Sequence, residues 1–208
     1  TYRKLKSMND RVTPVVSVTV THENCDNMKN IFKYLTEDCK IDSLKCTIVR
    51  DEGVFKTPQE KREKIFNAYC WLTDKIKEYS KIKKLSNYNL KSIQGKLHSK
   101  KDEISWDLTK KMYLNPKYIS PCHAGSLFGI ITAAGLVYPC EILEDKLLGN
   151  LRDNNMNFMK IWDNTVTKEA KNFILKSKCN CTYECALTYN ILGNLRYQPS
   201  LIKSFIDR

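Results

Sequence analysis

Five cysteines in the second half of the chain, Cys122, Cys140, Cys179, Cys181 and Cys185, are the residues whose type and spacing could do chemistry. Cys122 and Cys140 bracket a stretch that turns at Ala134-Gly135, and this pattern predicts a hairpin that brings its two ends together. Cys179, Cys181 and Cys185 form a CxCxxxC group after a predicted helix, spaced so that several thiolates can face one point. Thiolates are soft ligands that select zinc or iron-sulfur clusters, and each such site takes four. Paired CxxC knuckles, the commoner zinc signature, are absent, yet spacing alone leaves the two metals evenly matched. Lys176 and Lys178 beside the group are expected to lower the thiolate pKa values and so favour ligation.

The compartment follows from the same residue type. Nine cysteines is a high and odd count, which argues against a pure disulfide framework and for a reducing, cytoplasmic setting. The start, TYRKLKSMNDR, lacks the apolar core of a signal peptide, and no apolar run is long enough for a membrane span. Cys25, Cys39, Cys46 and Cys70 are dispersed at helix and strand positions and read as structural thiols.

The charge is +12, from 35 Lys and Arg against 23 Asp and Glu, and residues 75 to 111 hold eleven of the lysines. Glu78, Asp102, Glu103 and Asp107 are mixed among them, Arg is absent there, and aromatic residues are sparse. That is the composition of a solvated lysine face rather than of a nucleic-acid reader, which would show Arg forks or stacking aromatics.

The elements that must position the cysteines read as follows. TPVVSVTV (13–20) is a β-branched strand, and CDNMKNIFKYLTED (25–38) places Met28, Ile31, Phe32 and Leu35 on one helical face. LKCTIVR (44–50) is a second strand, ended by Asp51, Glu52 and Gly53. A long helix follows, with Thr57 as its cap and Pro58 as its first residue. Strand, helix, strand, helix implies a parallel sheet. Two such units cannot close a barrel, and the chain opens on Thr rather than Met, so further strands are expected upstream or from a partner. Residues 80–114 read as lysine-rich helices packed through Trp106 and Met112. A second, smaller domain begins near residue 117, giving domains at 1–116 and 117–208. In it SLFGIITAAGLVYPCEIL predicts two strands, LLGNLRDNN a turn region, and NFMKIWDN with TKEAKNFILKS helices.

The stretch CHAGSLFGIITAAGLVYPCEILEDKLLGNLRDNN, with IWDN and CNCTYECALTYNIL, resembles the SPASM and twitch domains at the C-terminus of many radical SAM enzymes. Their signature is a Cys, nine to fifteen residues, a Gly, four residues and a Cys, with a cysteine cluster downstream. Cys122, Gly135 and Cys140 match it directly, and so do Gly125, Tyr138-Pro139, Gly149-Asn150-Leu151 and Ile161-Trp162. By the same resemblance TPVVSVTVTHEN and LKCTIVRDEG are similar to late strands of the radical SAM core. The implied fold is α/β: the C-terminal part of a partial (β/α) barrel, then a small α+β domain with a β-hairpin that holds the cluster.

The resemblance implies an auxiliary 4Fe-4S cluster on Cys122, Cys140 and Cys185, with Cys179 or Cys181 as the fourth ligand. It also implies that Thr21, Asn24 and Arg50 stand at strand ends facing a pocket for S-adenosylmethionine or substrate, the alternative for these three being turn chemistry. His123, Tyr183 and Glu184 are neighbours of the ligands rather than ligands. The CxxxCxxC motif of the SAM-binding cluster is absent, so S-adenosylmethionine and a second 4Fe-4S cluster are expected only in a longer protein, and this chain alone is expected to be inactive. The implied substrate is a peptide or small metabolite, and the electron donor a flavodoxin or ferredoxin. The competing reading is a non-catalytic zinc- or cluster-binding interaction module.

Overall fold

A computed structural model describes residues 2–8, 14–50 and 56–206. The strand-ending Asp51, Glu52 and Gly53 therefore lie outside the described residues. The chain is a mixture of helices and small sheets and divides into two compact units, Thr1–Asn115 with Ser204–Arg208, and Pro116–Lys203.

In the first unit a helix α1 (Tyr2–Met8) precedes β1 (Val16–Val20), helix α2 (Met28–Lys33), β2 (Leu44–Ile48), and two long helices, α3 (Arg62–Lys81) and α4 (Ile93–Met112). The β-branched run VSVTV pairs with LKCTI as a two-stranded parallel sheet, Val16 opposite Leu44 and Val20 opposite Ile48. Alternation along β2 buries Leu44, Cys46 and Ile48 and leaves Lys45 and Thr47 half-buried. The i, i+3/i+4 stripe of α3, Ile65, Tyr69, Leu72 and Ile76, covers this face. Phe32 meets Trp71 and Tyr79 edge-on, with ring centroids 5.6 and 4.9 Å away, and so fixes α2 on α3. Trp106 and Met112 are buried, as their spacing predicts.

Two expectations need correction. The segment 25–38 is three kinds of helix in succession: a 3-10 turn at Cys25–Asn27, α2, and a π turn at Tyr34–Asp38. Met28 and Phe32 of the apolar stripe are still buried, because the stripe falls mostly within α2, and Cys25 is buried ahead of them. Thr57 does not cap the long helix. Pro58 has an extended backbone (ψ 134°) and precedes a 3-10 turn at Gln59–Lys61, so α3 begins only at Arg62. Thr57 is buried instead.

The second unit contains a three-stranded antiparallel sheet in the order β3 (Ile130–Ile131), β4 (Leu136–Tyr138) and β5 (Gly149–Asn150). Three helices follow, α5 (Phe158–Trp162), α6 (Thr165–Lys176) and α7 (Glu184–Leu192), and then α8 (Gln198–Ile206), whose last residues from Ser204 belong to the first unit. The hairpin forms where the Ala134-Gly135 turn places it. Gly149-Asn150 is a strand rather than a turn, with Leu136 opposite Asn150. A two-residue pairing without β-branched residues carries no periodicity from which it could be read. The core of this unit is Val137, Leu148, Leu151, Ile161 and Ala170. Asn157 and Asn164 cap α5 and α6 through side-chain oxygens that accept from Met159 N–H and Thr167 N–H respectively.

Candidate metal centre

Four of the five cysteines that line the centre are placed by identifiable local features. The chain around Cys122 is pinned at three points, where Arg196 donates to the carbonyl of Ile119 (3.0 Å), the hydroxyls of Tyr197 and Ser120 bond (3.2 Å), and His123 N–H donates to Asn190 Oδ1 (2.8 Å). Cys140 follows β4 directly. Cys179 is delivered by the end of α6. Lys178 adopts the left-handed conformation (φ 52°), its N–H bonds to Leu175 O, and Cys179 N–H reaches Ile174 O at 3.1 Å. This is the double hydrogen bond of a Schellman cap, which stops the helix and turns the chain aside. Cys185 stands in the first turn of α7.

All five thiols line one cavity of about 130 Å³, together with Phe128, Gly129, Tyr183 and Tyr189. A water molecule takes about 30 Å³ of liquid, so the space holds a group of several atoms. Phe128 and Tyr189 stack at 5.1 Å and form an aromatic wall. Cys185 is exposed and the other four are half-buried. Among the described residues no three His, Cys, Asp or Glu side chains are grouped as ligands of a single ion.

The sulfurs are supplied with N–H donors. Cys122 receives the backbone N–H of Ala124 and the side-chain amide of Asn190; Cys140 receives the N–H of Ile142 and Leu143; Cys181 receives the N–H of Tyr183. In three cases the donor lies two residues beyond the cysteine, a local geometry that presents partial positive charge to a thiolate. Without metal, Cys122 and Cys179 share a proton. The Cys179 thiol donates to Cys122, which pulls Cys122 down to about 6 and holds Cys179 well above the ordinary thiol range. Burial pushes Cys181 up to about 12 and raises Cys140 as well.

The source of the low pKa thus differs from the expected one. Lys176 and Lys178 contribute to none of these shifts; the thiol of Cys179 and the N–H donors of Ala124 and Asn190 lower Cys122. In metal-free protein, iodoacetamide labelling of Cys122 is expected to rise with pH through a midpoint of about 6. Cys179→Ala is expected to move that midpoint up toward the ordinary value of about 8.5. Peptide mapping by mass spectrometry across pH 5–9, a range of about four units around that midpoint, checks both.

The other candidate residues lie elsewhere. Thr21 and Asn24 follow β1 and Arg50 follows β2, at the same ends of two paired parallel strands. Asn24 closes a turn: its side-chain oxygen accepts from Thr21 N–H (2.9 Å), and its amide donates to Thr19 O (2.8 Å). The hydroxyl of Thr21 accepts from Glu23 N–H at 3.2 Å. Arg50 is exposed. His123 does not line the cavity; its Nε2 is buried without a hydrogen-bond partner among the described residues. Tyr183 does line the cavity. Asn190 is the functional residue that spacing could not disclose, since it meets the Cys122 segment from 67 residues away.

Residues 122–186 match the model of the SPASM family, an iron-sulfur cluster-binding domain. The match bears out the resemblance carried by Cys122, Gly135 and Cys140, and gives this segment an iron-sulfur cluster-binding role. No curated protein and no solved structure matches the chain. Among the described residues no helix is long and apolar enough to cross a membrane.

Proposed function

We propose that the chain is the C-terminal part of a radical SAM enzyme and binds one auxiliary 4Fe-4S cluster that supports radical modification of a peptide or small metabolite. The observation that carries this reading is the meeting of five thiols from three separate segments around one cavity, within a segment matched by an iron-sulfur domain family. Cys122, Cys140 and Cys185 are the assigned ligands, with Cys179 or Cys181 as the fourth.

When bound, an auxiliary cluster supplies a site that takes up or passes on an electron. The chain's own residues set its surroundings. N–H groups of Ala124, Ile142, Leu143, Tyr183 and Asn190 stabilise charge on the cysteine sulfurs, and such bonds tune reduction potential. Phe128 and Tyr189 stack along one side of the cavity. In the same reading β1 and β2 are late strands of a partial barrel, with Thr21, Asn24 and Arg50 at its ligand-facing end. The nine cysteines contain no CxxxCxxC, so the radical-generating cluster and S-adenosylmethionine are assigned to polypeptide outside these 208 residues.

Anaerobic reconstitution with iron and sulfide is expected to give a brown protein carrying about four irons and four sulfides per chain. Low-temperature EPR of the reduced protein should then show a single cubane-type signal. Stoichiometric zinc with no retained iron would overturn the reading.

A further inference from the structure

The first unit carries a second, larger concavity of about 720 Å³, formed by the C-terminal end of α3, the loop after it and the facing side of α4. Ligand pockets span about 300–1,000 Å³. Ile76 and Leu85 are buried beneath it, and Leu90 stands on its rim 52% exposed. Lys81, Lys83 and Lys91 line the opening, all exposed, and none has an acidic partner among the described residues.

The other charges there are already matched. Asp102 is buried, pairs with Lys101 and accepts from the Tyr88 hydroxyl at 2.6 Å; Glu103 pairs with Lys100 (3.1 Å), and Lys77 with Asp107 (3.3 Å). Three cations therefore remain beside the exposed Leu90. The wall is also preformed. Asn87 clamps the loop to β2 by accepting from Leu44 N–H (2.8 Å) and donating to Leu44 O (2.7 Å), and Lys83 N–H closes a turn on Ser80 O. A wall that is ordered before binding loses little entropy when a ligand arrives.

We infer that this concavity binds an acidic peptide segment, packing an aliphatic side chain against the exposed Leu90 and seating its carboxylates on Lys81, Lys83 and Lys91. Three cations on a helix end, a turn and a loop meet several spaced carboxylates, whereas a small monoanion would leave two of them unmatched. Ser80, Asn89 and Ser99 on the same wall offer polar groups to a peptide backbone. Nucleic acid fits poorly, because bases need open aromatic faces. Tyr88 is stacked on His98 and covered by Lys45, while Trp106 is buried beneath Lys77. The concavity has no cysteine in its wall, so it can be tested apart from the metal centre.

The test is fluorescence anisotropy of a labelled Glu-Leu-Glu-Leu-Glu-Glu peptide titrated with the full chain. Saturable binding is expected, weakening with salt, and falling about tenfold or more in the triple variant Lys81→Glu, Lys83→Glu, Lys91→Glu. The control triple Lys160→Glu, Lys168→Glu, Lys203→Glu, with the same net charge, should change affinity by less than about twofold. Leu90→Ser should weaken binding several-fold without altering charge, and a Gln-for-Glu peptide should bind about as weakly as the first triple variant leaves the acidic one. The lysines are exposed, so circular dichroism melting should be unchanged. Equal losses in both triple variants, indifference to Leu90→Ser, absence of saturation, or displacement by a single-stranded oligonucleotide in preference to unlabelled peptide would each overturn the inference.

Discussion

Cys122→Ala is expected to abolish stable iron binding, while Cys179→Ala and Cys181→Ala, taken singly, retain it. Replacing a residue that merely hydrogen-bonds to a metal ligand costs about 10–100-fold in affinity, so removing a ligand should cost at least as much. Cys122 is the best-prepared of the five, its thiol pulled below the ordinary range by the Cys179 thiol and by donors from Ala124 and Asn190. Its loss leaves four thiols, but those four lack the sulfur around which the local hydrogen bonds are arranged. Removing Cys179 or Cys181 leaves Cys122, Cys140, Cys185 and one neighbour, and the double variant should fail. Iron retained after a timed chelator challenge reads all four proteins. Equal retention by the Cys122 and Cys179 variants would remove the assigned hierarchy of ligands.

Gly135→Val is expected to be the most damaging single change outside the cysteines. Gly135 has φ +87°, where a β-branched residue is strained by about 1–2 kcal/mol. A Cβ there would stand 2.9 Å from Asn150 Oδ1 and 3.3 Å from Arg152 Cγ. Neither can simply move. Asn150 Oδ1 accepts from Arg152 N–H, and Arg152 Nε donates to Ala134 O at 3.0 Å. Breaking one or two of these adds about 1 kcal/mol each. The sum, about 3 kcal/mol, corresponds to a fall in melting temperature on the order of 10–20 °C for a unit of this size. Differential scanning calorimetry measures it. Gly135→Asn, which tolerates left-handed backbone better, should lose less. Because the hairpin carries Cys140 to the cavity, the valine variant should also hold less iron.

These two residues show what the sequence made legible. Cys122, Gly135 and Cys140 are related by spacing along one hairpin, and the turn that joins them has its own local chemistry. The strand alternation at Leu44–Ile48 and the stripe of α3 are equally local. What could not be read depends on partners brought from a distance or on geometry without a residue signature. Asn190 reaches the Cys122 segment only because α7 folds back. The N–H donors of Ala124 and Ile142 are backbone groups that any residue supplies. Lys178 ends α6 in a conformation usually left to glycine. Lys176 and Lys178 drew attention as charges, yet the shifts at the thiols come from other thiols, burial and main-chain dipoles. Thr57-Pro58 has the composition of a helix start, but the extended Pro58 delays the helix by a 3-10 turn.

The second unit's sheet consists of strands of two, three and two residues. Ribbons so short are marginal by themselves. A cluster bonded to Cys140, just beyond that sheet, and to Cys185, on α7, would act as an inorganic cross-link closing a long loop, and such closures contribute most where the chain between them is long. Oxidative loss of the cluster would then do more than remove an electron carrier. It would loosen the polypeptide between hairpin and helix.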